Sequence, residues 1–327
     1  MAWKETQQRS LADAMVVTHE AVKELDELKK LIDWSRIERH LKHIHAKNRG
    51  EKAWPPLLMF KALLLQSWYN LSDPQLEKQL ARDLLFRRFV ELDLSESVPD
   101  HSTFWRFRQK LNQNDLLGKL LSEVNQQLCE RGLYIKSGEV SIVDASVIEA
   151  KRNRPNKGKD GGSTQDPEAA WNVKNGSDGK RKSTYGFKAH LNVDEDGLIK
   201  KTDYSSGNSH DSNHFTELLS GDESAVYADS AYQSEAHNQW LSERGIDDRL
   251  TKRAYRNRPL TKEDKAFNRL HSGVRSVVER VFGVLKQHYG MGKGRYLGLA
   301  RNRTRFELMC VAHNLKRGLS ILQESCA

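Results

Sequence analysis

The stretch GEVSIVDASVIEA, Gly138–Ala150, is where the chain changes character. Upstream, apolar residues recur at spacings of three and four. Within this stretch Val140 and Ile142 alternate with polar residues before Val143 and Asp144, the pattern of a half-buried strand. Downstream, YGFKAHLNVDEDGLIKKTDYSSG (185–207) reads as two strands around the turn residues Asp194 to Gly197. SAVYADSAY (224–232) reads as a buried strand ending at Asp229, followed by a helix through Arg244. DDRLT (247–251) fits a last short strand, and Asp211 and Ser212 are placed to cap a short helix through Leu219. Two helices close the chain, VRSVVERVFGVLKQHYG (274–290) and RFELMCVAHNLKRGLSIL (305–322). The expected fold class is therefore α+β, helices first and then a mixed sheet flanked by helices.

Working back from Gly138, PPLLMFKALLLQSWYNL (55–71) is an apolar helix with proline tolerated in its first turn. SDPQLEKQLARDLLFRRFVEL (72–92) follows with Ser72 or Asp73 as cap, and HSTFWRFRQKL (101–111) with Asp100 or Ser102. A helix, a break and a short helix bearing Trp105, Arg106, Arg108 and Lys110 fit a helix-turn-helix reader of DNA, and equally two packed helices with a wet basic face. Leu11, Met15, Val22, Leu25, Leu28 and Ile32 give residues 1–50 a helical period, either for packing or as an arm for dimerisation or DNA ends. The expected domains are a helical arm over 1–50, a helical DNA-binding domain over 51–132, and a catalytic domain over 133–327. The last includes a Gly-, Asn- and Lys-rich loop at 151–184.

Composition narrows the partners. The formal net charge is +9, and Arg249–Arg305 holds sixteen Lys and Arg against three acids. So local an excess matches a phosphate backbone better than a mixed-sign soluble surface. No apolar run reaches the length of a membrane span, and MAWKETQQRS lacks the apolar core of a signal peptide, which points to the cytoplasm. Cys129, Cys310 and Cys326 have no paired spacing and read as reduced thiols. His40, His43 and His45 lack cysteine or carboxylate partners at zinc-ligand spacing.

In the 274–290 helix, Val274, Val277, Val278, Val281 and Leu285 share one face at 100° per residue. Arg275, Glu279 and Lys286 share another. Alone, that second stripe fits a solvated face with an Arg275–Glu279 pair worth a few tenths of a kcal/mol. Together with Asp144 and Asp229, each at the end of an apolar strand, it fits a carboxylate cluster. Three carboxylates gathered at one sheet edge require cations, and hard oxygen donors suit Mg²⁺. Two such ions would hold the attacking and leaving oxygens of a phosphoryl displacement, with basic neighbours gripping the strand.

These segments resemble the DDE transposases of bacterial insertion sequences, the family numbered five and its relatives. Residues 55–111 resemble that family's N-terminal helical domain; IVDASVIEA matches its first aspartate at Asp144, and VYADSAYQS its second at Asp229. SGNSHDS (206–212) resembles the segment after its third strand. RSVVERVFGVLK keeps the spacing arginine, three residues, glutamate, six residues, lysine. Where many relatives carry a tyrosine three positions before the arginine, this chain has Ser272. The resemblance implies an RNase H-like catalytic domain with Asp144, Asp229 and Glu279 as catalytic metal ligands for two Mg²⁺ ions, Mn²⁺ substituting. It implies DNA contacts by Arg275 and Lys286, to which the basic surroundings of Glu279 add Arg280. The implied activity is binding of terminal inverted repeats, cleavage of double-stranded DNA at the element ends and joining of the 3′-hydroxyl to target DNA, by a homodimer on paired ends. The competing expectations are a catalytically silent, transposase-derived DNA-binding protein and a nuclease that only hydrolyses.

Overall fold

The computed structural model describes residues 19–42, 44, 52–113, 115–133, 139–151, 166–175, 181–255 and 258–326. Leu11, Met15, His43, His45 and most of the 151–184 stretch lie outside them. The chain divides into two compact units, residues 1–133 with 307–327, and residues 134–306.

The first unit is helical: α1 (Glu20–Lys23), α2 (Asp26–Leu31), α3 (Trp34–Leu41), α4 (Pro56–Trp68), α5 (Asp73–Arg82), α6 (Leu84–Val90), α7 (His101–Asn112) and α8 (Leu116–Glu130). Helix α4 is its centre, buried from Leu58 to Trp68 on every side, as an all-round apolar helix must be. Even Lys61 is buried there, its ammonium 3.2 Å from Glu91 and over the Trp34 ring. The single helix expected over 72–92 is two. Ser72 forms a capping box with Gln75 at the start of α5. Asp83 then leaves helical geometry and accepts from the Leu85 and Phe86 N–H groups, restarting the chain as α6. The long closing helix α12 (Leu299–Cys326) belongs to this unit from Glu307 onward. Trp68 Nε1 donates to the Ala312 carbonyl at 2.8 Å. A Cβ on Gly318 would lie 2.9 Å from a Leu128 methyl.

The second unit is a six-stranded mixed sheet: β1 (Ser141–Glu149), β2 (Ala170–Asn175), β3 (Arg181–Val193), β4 (Ile199–Ser206), β5 (Ala225–Ala228) and β6 (Asp247–Asp248). The order is β2-β3-β1-β5-β6, with β4 also on β3. Part of the expected loop is therefore sheet. Residues Ala170–Asn175 pair with Arg181–Gly186, and Trp171 packs on Tyr185 with ring centroids 5.3 Å apart. The fold is tightest at Gly186, where a Cβ would fall 1.9 Å from the Ile148 carbonyl oxygen and 2.8 Å from the Ala150 nitrogen. Only glycine allows the β1 and β3 backbones that approach.

Both faces of the sheet are covered. Val143, Val226 and Ala228 enter a core with Phe215 and Leu218 of α9 (Phe215–Leu218), Tyr232, and Leu241 of α10 (Glu235–Glu243). Alternation turns Ile142, Asp144 and Tyr227 to the opposite face. There α11 (Lys262–Gln287) buries Val277, Val278, Val281 and Leu285, and His271 meets the Tyr227 ring edge-on at 5.3 Å.

Candidate active site

Strands β1 and β5 run parallel in the register Ser141↔Val226, Ile142↔Tyr227, Val143↔Ala228. The next residues are Asp144 and Asp229, so the two carboxylates leave neighbouring strands at one level and on one face. The expectation that both end their strands holds only for Asp229. Strand β1 continues to Glu149, so Asp144 sits mid-strand, beside the point where β5 stops. Past Ala228 that side of β1 pairs with no further strand among the described residues until the isolated bridge of Glu149 to Lys293, and the chain after β5 turns into a short 3-10 segment, Ser230–Tyr232. It starts with the Asp229 carboxylate accepting from the Ser230 N–H at 2.6 Å.

Helix α11 crosses above this point. Its first half belongs to the β5–β6 side: Asn268 exchanges hydrogen bonds with the Lys252 backbone, and His271 lies on Tyr227. Further along it reaches the β3–β4 turn, where Val277 and Val281 would meet a Cβ on Gly197. Between these contacts Arg275 reaches Asp229, with Nη1 3.9 Å from Oδ1 and 3.5 Å from the Thr251 hydroxyl. The pair Arg275–Glu279 expected on a solvated face is thus replaced by one between helix and sheet. Arg275 is only 16% exposed, so its end of the polar stripe borders the sheet while Glu279 and Lys286 stay exposed.

Glu279 stands one turn on, exposed, as the helix passes from β5 towards β1 and the β3–β4 turn. Arg280 and Lys286 are exposed on the same half of the helix. Ser272 is exposed too, its hydroxyl donating to the Arg269 carbonyl at 2.9 Å. The structure brings Asp144, Asp229 and Arg275 together and sets Glu279 on the adjoining turn. Among the described residues, the one group with three ligand atoms within 4.8 Å of one another is Asp203, His214 and Glu217. The ligand atoms of Asp144, Asp229 and Glu279 do not all lie within that distance of one another.

That second cluster went unnoticed in the sequence. His214 Nδ1 is 2.6 Å from Asp203 Oδ2, and its Nε2 is 2.7 Å from the Ser209 hydroxyl. Both ring nitrogens are therefore engaged, and the cluster is a chain of hydrogen bonds that pins the 206–214 segment to β4. His190 stacks on His214 with centroids 4.1 Å apart. Burial, reinforced by the neighbouring His214, pulls the His190 pKa down to about 4. Lys188 anchors the same segment, 2.8 Å from Asp211 and 2.6 Å from the Ser209 carbonyl. The only sequence trace was the SGNSHDS motif itself; His210 caps the following turn through Ser212.

In the helical unit, Trp105, Arg106 and Lys110 are exposed along α7. Arg108 is not: it is 6% exposed and bonds Gln66 and Asp73. Its place opposite the capped start of α5 makes it a buried tie between helices, which corrects its assignment as a DNA contact.

The chain matches the family model described as Transposase domain (DUF772) over residues 16–110. It matches the Transposase DDE domain over residues 135–315, more than half of its length. Among solved structures it is similar to the Mos1 transposase paired-end complex with left transposon end, at 11% identity over 86% of each chain and a TM-score of 0.20. It is also similar to the Mos1 strand transfer complex, at 9% identity over 88% of this chain and 84% of that one, again with a TM-score of 0.20. The residues that meet at the end of β5 all fall inside the matched DDE region, and the chain belongs to the family of transposases that carry the DDE catalytic domain.

Proposed function

We propose that this chain is the transposase of a bacterial insertion sequence of the family numbered five, working in the cytoplasm. It binds the terminal inverted repeats, cleaves the DNA at the element ends and joins the freed 3′-hydroxyl to target DNA. Two copies on paired ends would coordinate the cuts. The observation that carries this reading is the β1–β5 register, which sets Asp144 beside Asp229 under the helix that bears Arg275 and Glu279.

The donor set suits hard divalent ions. Asp229 is 48% exposed and its arginine stands at 3.9 Å, so the carboxylate stays partly open to solvent although Oδ1 accepts from Ser230, and all three donors are carboxylates. Asp144, Asp229 and Glu279 are the residues that would hold two Mg²⁺ or Mn²⁺ ions. Held by these carboxylates, such ions would supply positive charge against the negative charge that develops in a phosphoryl displacement. The chain's own cations do the rest. Arg275 is fixed by Asp229 and Thr251, so its guanidinium is preorganised for a phosphate next to the carboxylates. Arg280 and Lys286 extend that basic edge along α11, while Trp105, Arg106 and Lys110 offer a second DNA contact on α7. No described helix is long and apolar enough to cross a membrane.

The test uses a duplex with the short inverted repeats that flank the coding region, a target plasmid and Mg²⁺. Joined product supports strand transfer. Cleavage without joining means a hydrolytic nuclease, and binding without cleavage in Mg²⁺ or Mn²⁺ means a silent DNA-binding protein.

A further inference from the structure

Asp203, His214 and Glu217 bring two carboxylate oxygens and one imidazole nitrogen within 4.8 Å of one another. They come from three pieces of chain: strand β4, the 3-10 turn Asp211–His214 and helix α9. Two of the three are held from behind. Asp203 Oδ1 accepts from the Tyr204 N–H at 2.7 Å, while Oδ2 stands 2.6 Å from His214 Nδ1. Across the ring, Nε2 lies 2.7 Å from the Ser209 hydroxyl. The buried His190 ring stacks on His214, and its own Nε2 is tied to the Ser205 hydroxyl at 2.8 Å. Nδ1 and Oδ2 are thus fixed face to face, and two lone-pair atoms that close need a proton or a metal ion between them. Glu217 adds a second negative charge. Its carboxylate is exposed and has no hydrogen bond or ion pair among the described residues. The lysines on β3 and β4 are committed elsewhere, Lys188 to Asp211 and Lys201 to the Leu219 carbonyl.

We infer that Asp203, His214 and Glu217 bind a single Zn²⁺-like ion, at a site separate from Asp144, Asp229 and Glu279. One imidazole among carboxylates suits Zn²⁺, whereas Mg²⁺ prefers oxygen donors alone. Ligands about 2.0–2.1 Å from a tetrahedral ion stand roughly 3.3 Å apart. The Asp203–His214 pair therefore opens by about 0.7 Å from its 2.6 Å separation. Glu217, exposed, swings in, and water takes the fourth place. The ring proton moves from Nδ1 to Nε2, and the Ser209 hydroxyl turns from donor to acceptor. The imidazole then keeps the outer hydrogen bond that metal-bound histidines ordinarily make. The ion clamps β4, the 3-10 turn and α9 together, adding to the hydrogen bonds that hold the 206–214 segment.

The experiment strips the full-length protein of metal with EDTA and removes the chelator. Zn²⁺ is then titrated in competition with a chromophoric chelator, Co²⁺ is titrated by its visible d–d absorption, and melting is followed by circular dichroism. Wild type should take up one Zn²⁺ per chain from the competitor, give d–d bands with Co²⁺, and melt higher with Zn²⁺ than in EDTA. Glu217→Ala and His214→Gln should each lose that ion, and Ser209→Ala should hold it about 10–100-fold more weakly. Glu217→Ala changes an exposed side chain, so in EDTA it should melt with wild type, which separates loss of a ligand from loss of the fold. Asp144→Asn should keep the Zn²⁺ affinity of wild type. A wild type that takes up no Zn²⁺ would overturn the inference, as would uptake left unchanged by Glu217→Ala or by His214→Gln. Uptake abolished by Asp144→Asn places the ion on the Asp144 centre and defeats the inference while leaving the proposed function standing.

Discussion

Replacing Asp144 by asparagine should stabilise the metal-free protein while destroying its response to metal. Adjacent parallel strands lie about 4.8 Å apart, and the Val143↔Ala228 pair puts Asp144 and Asp229 on neighbouring strands at one level. Two like charges about 5 Å apart repel by roughly 0.8 kcal/mol in water and about 3 kcal/mol at an effective dielectric of 20. Asp229 is 48% exposed, so solvent holds the repulsion near the lower figure, about 1 kcal/mol. The neutral amide removes that repulsion and leaves the Arg275–Asp229 pair in place. For a unit of this size 1 kcal/mol is roughly 2–4 °C, and in EDTA the variant should melt higher by that amount. At Mg²⁺ a hundredfold above its dissociation constant, linkage stabilises the wild type by about 2.7 kcal/mol. The order should therefore reverse when thermal melts are repeated in Mg²⁺. A variant that melts lower in EDTA, yet rises with Mg²⁺ as much as wild type, would refute the reasoning.

Arg108→Ala should cost about 3–5 kcal/mol in urea denaturation, because it strands Asp73 and Gln66 in a buried contact. Arg106→Ala, at an exposed site, should leave stability within about 0.5 kcal/mol and weaken DNA binding in a salt-dependent way. Gly186→Ala should destabilise by about 3 kcal/mol or more, since its methyl would enter the β1 backbone, as equilibrium unfolding will report. For His190 the folded pKa is depressed to about 4, so the unfolded chain takes up the proton first as pH falls. Its contribution is complete above about pH 6.5 and is lost towards pH 4, at up to about 1.4 kcal/mol per pH unit. Denaturation of His190→Gln beside wild type isolates that slope from the other groups that titrate there.

The sequence carried the layout of the catalytic domain well because each element obeys its own period. The alternation around Val140–Val143 became β1, the turn at Asp194–Gly197 joins β3 to β4, and the run ending at Asp229 became β5. The valine face of α11 was also legible, and with it the stripe of Arg275, Glu279 and Lys286. Strand β2 was hidden because its sequence, AWNVKN, lies within Gly-, Asn- and Lys-rich chain. Its pairing with β3 is a long-range contact that no local propensity encodes. Arg108 was misread for a related reason. Charge on a short helix suggests solvent or phosphate, and only the tertiary position of Gln66 and Asp73 makes it a buried tie. The Ser209–His214–Asp203 chain was invisible because its meaning lies in partners on other elements. Residue spacing showed that Glu279 shares a face with Arg275; only the sheet register showed what that face borders.

Joining of end-bearing DNA to a target plasmid in Mg²⁺ tests the central claim most directly, with wild type run beside Asp144→Asn, Asp229→Asn and Glu279→Gln. Wild type should yield joined product, and each variant should fall to background while holding the end duplex within a few-fold of wild-type affinity. Full joining by Glu279→Gln would contradict the claim that the helix and the two strands form one catalytic centre.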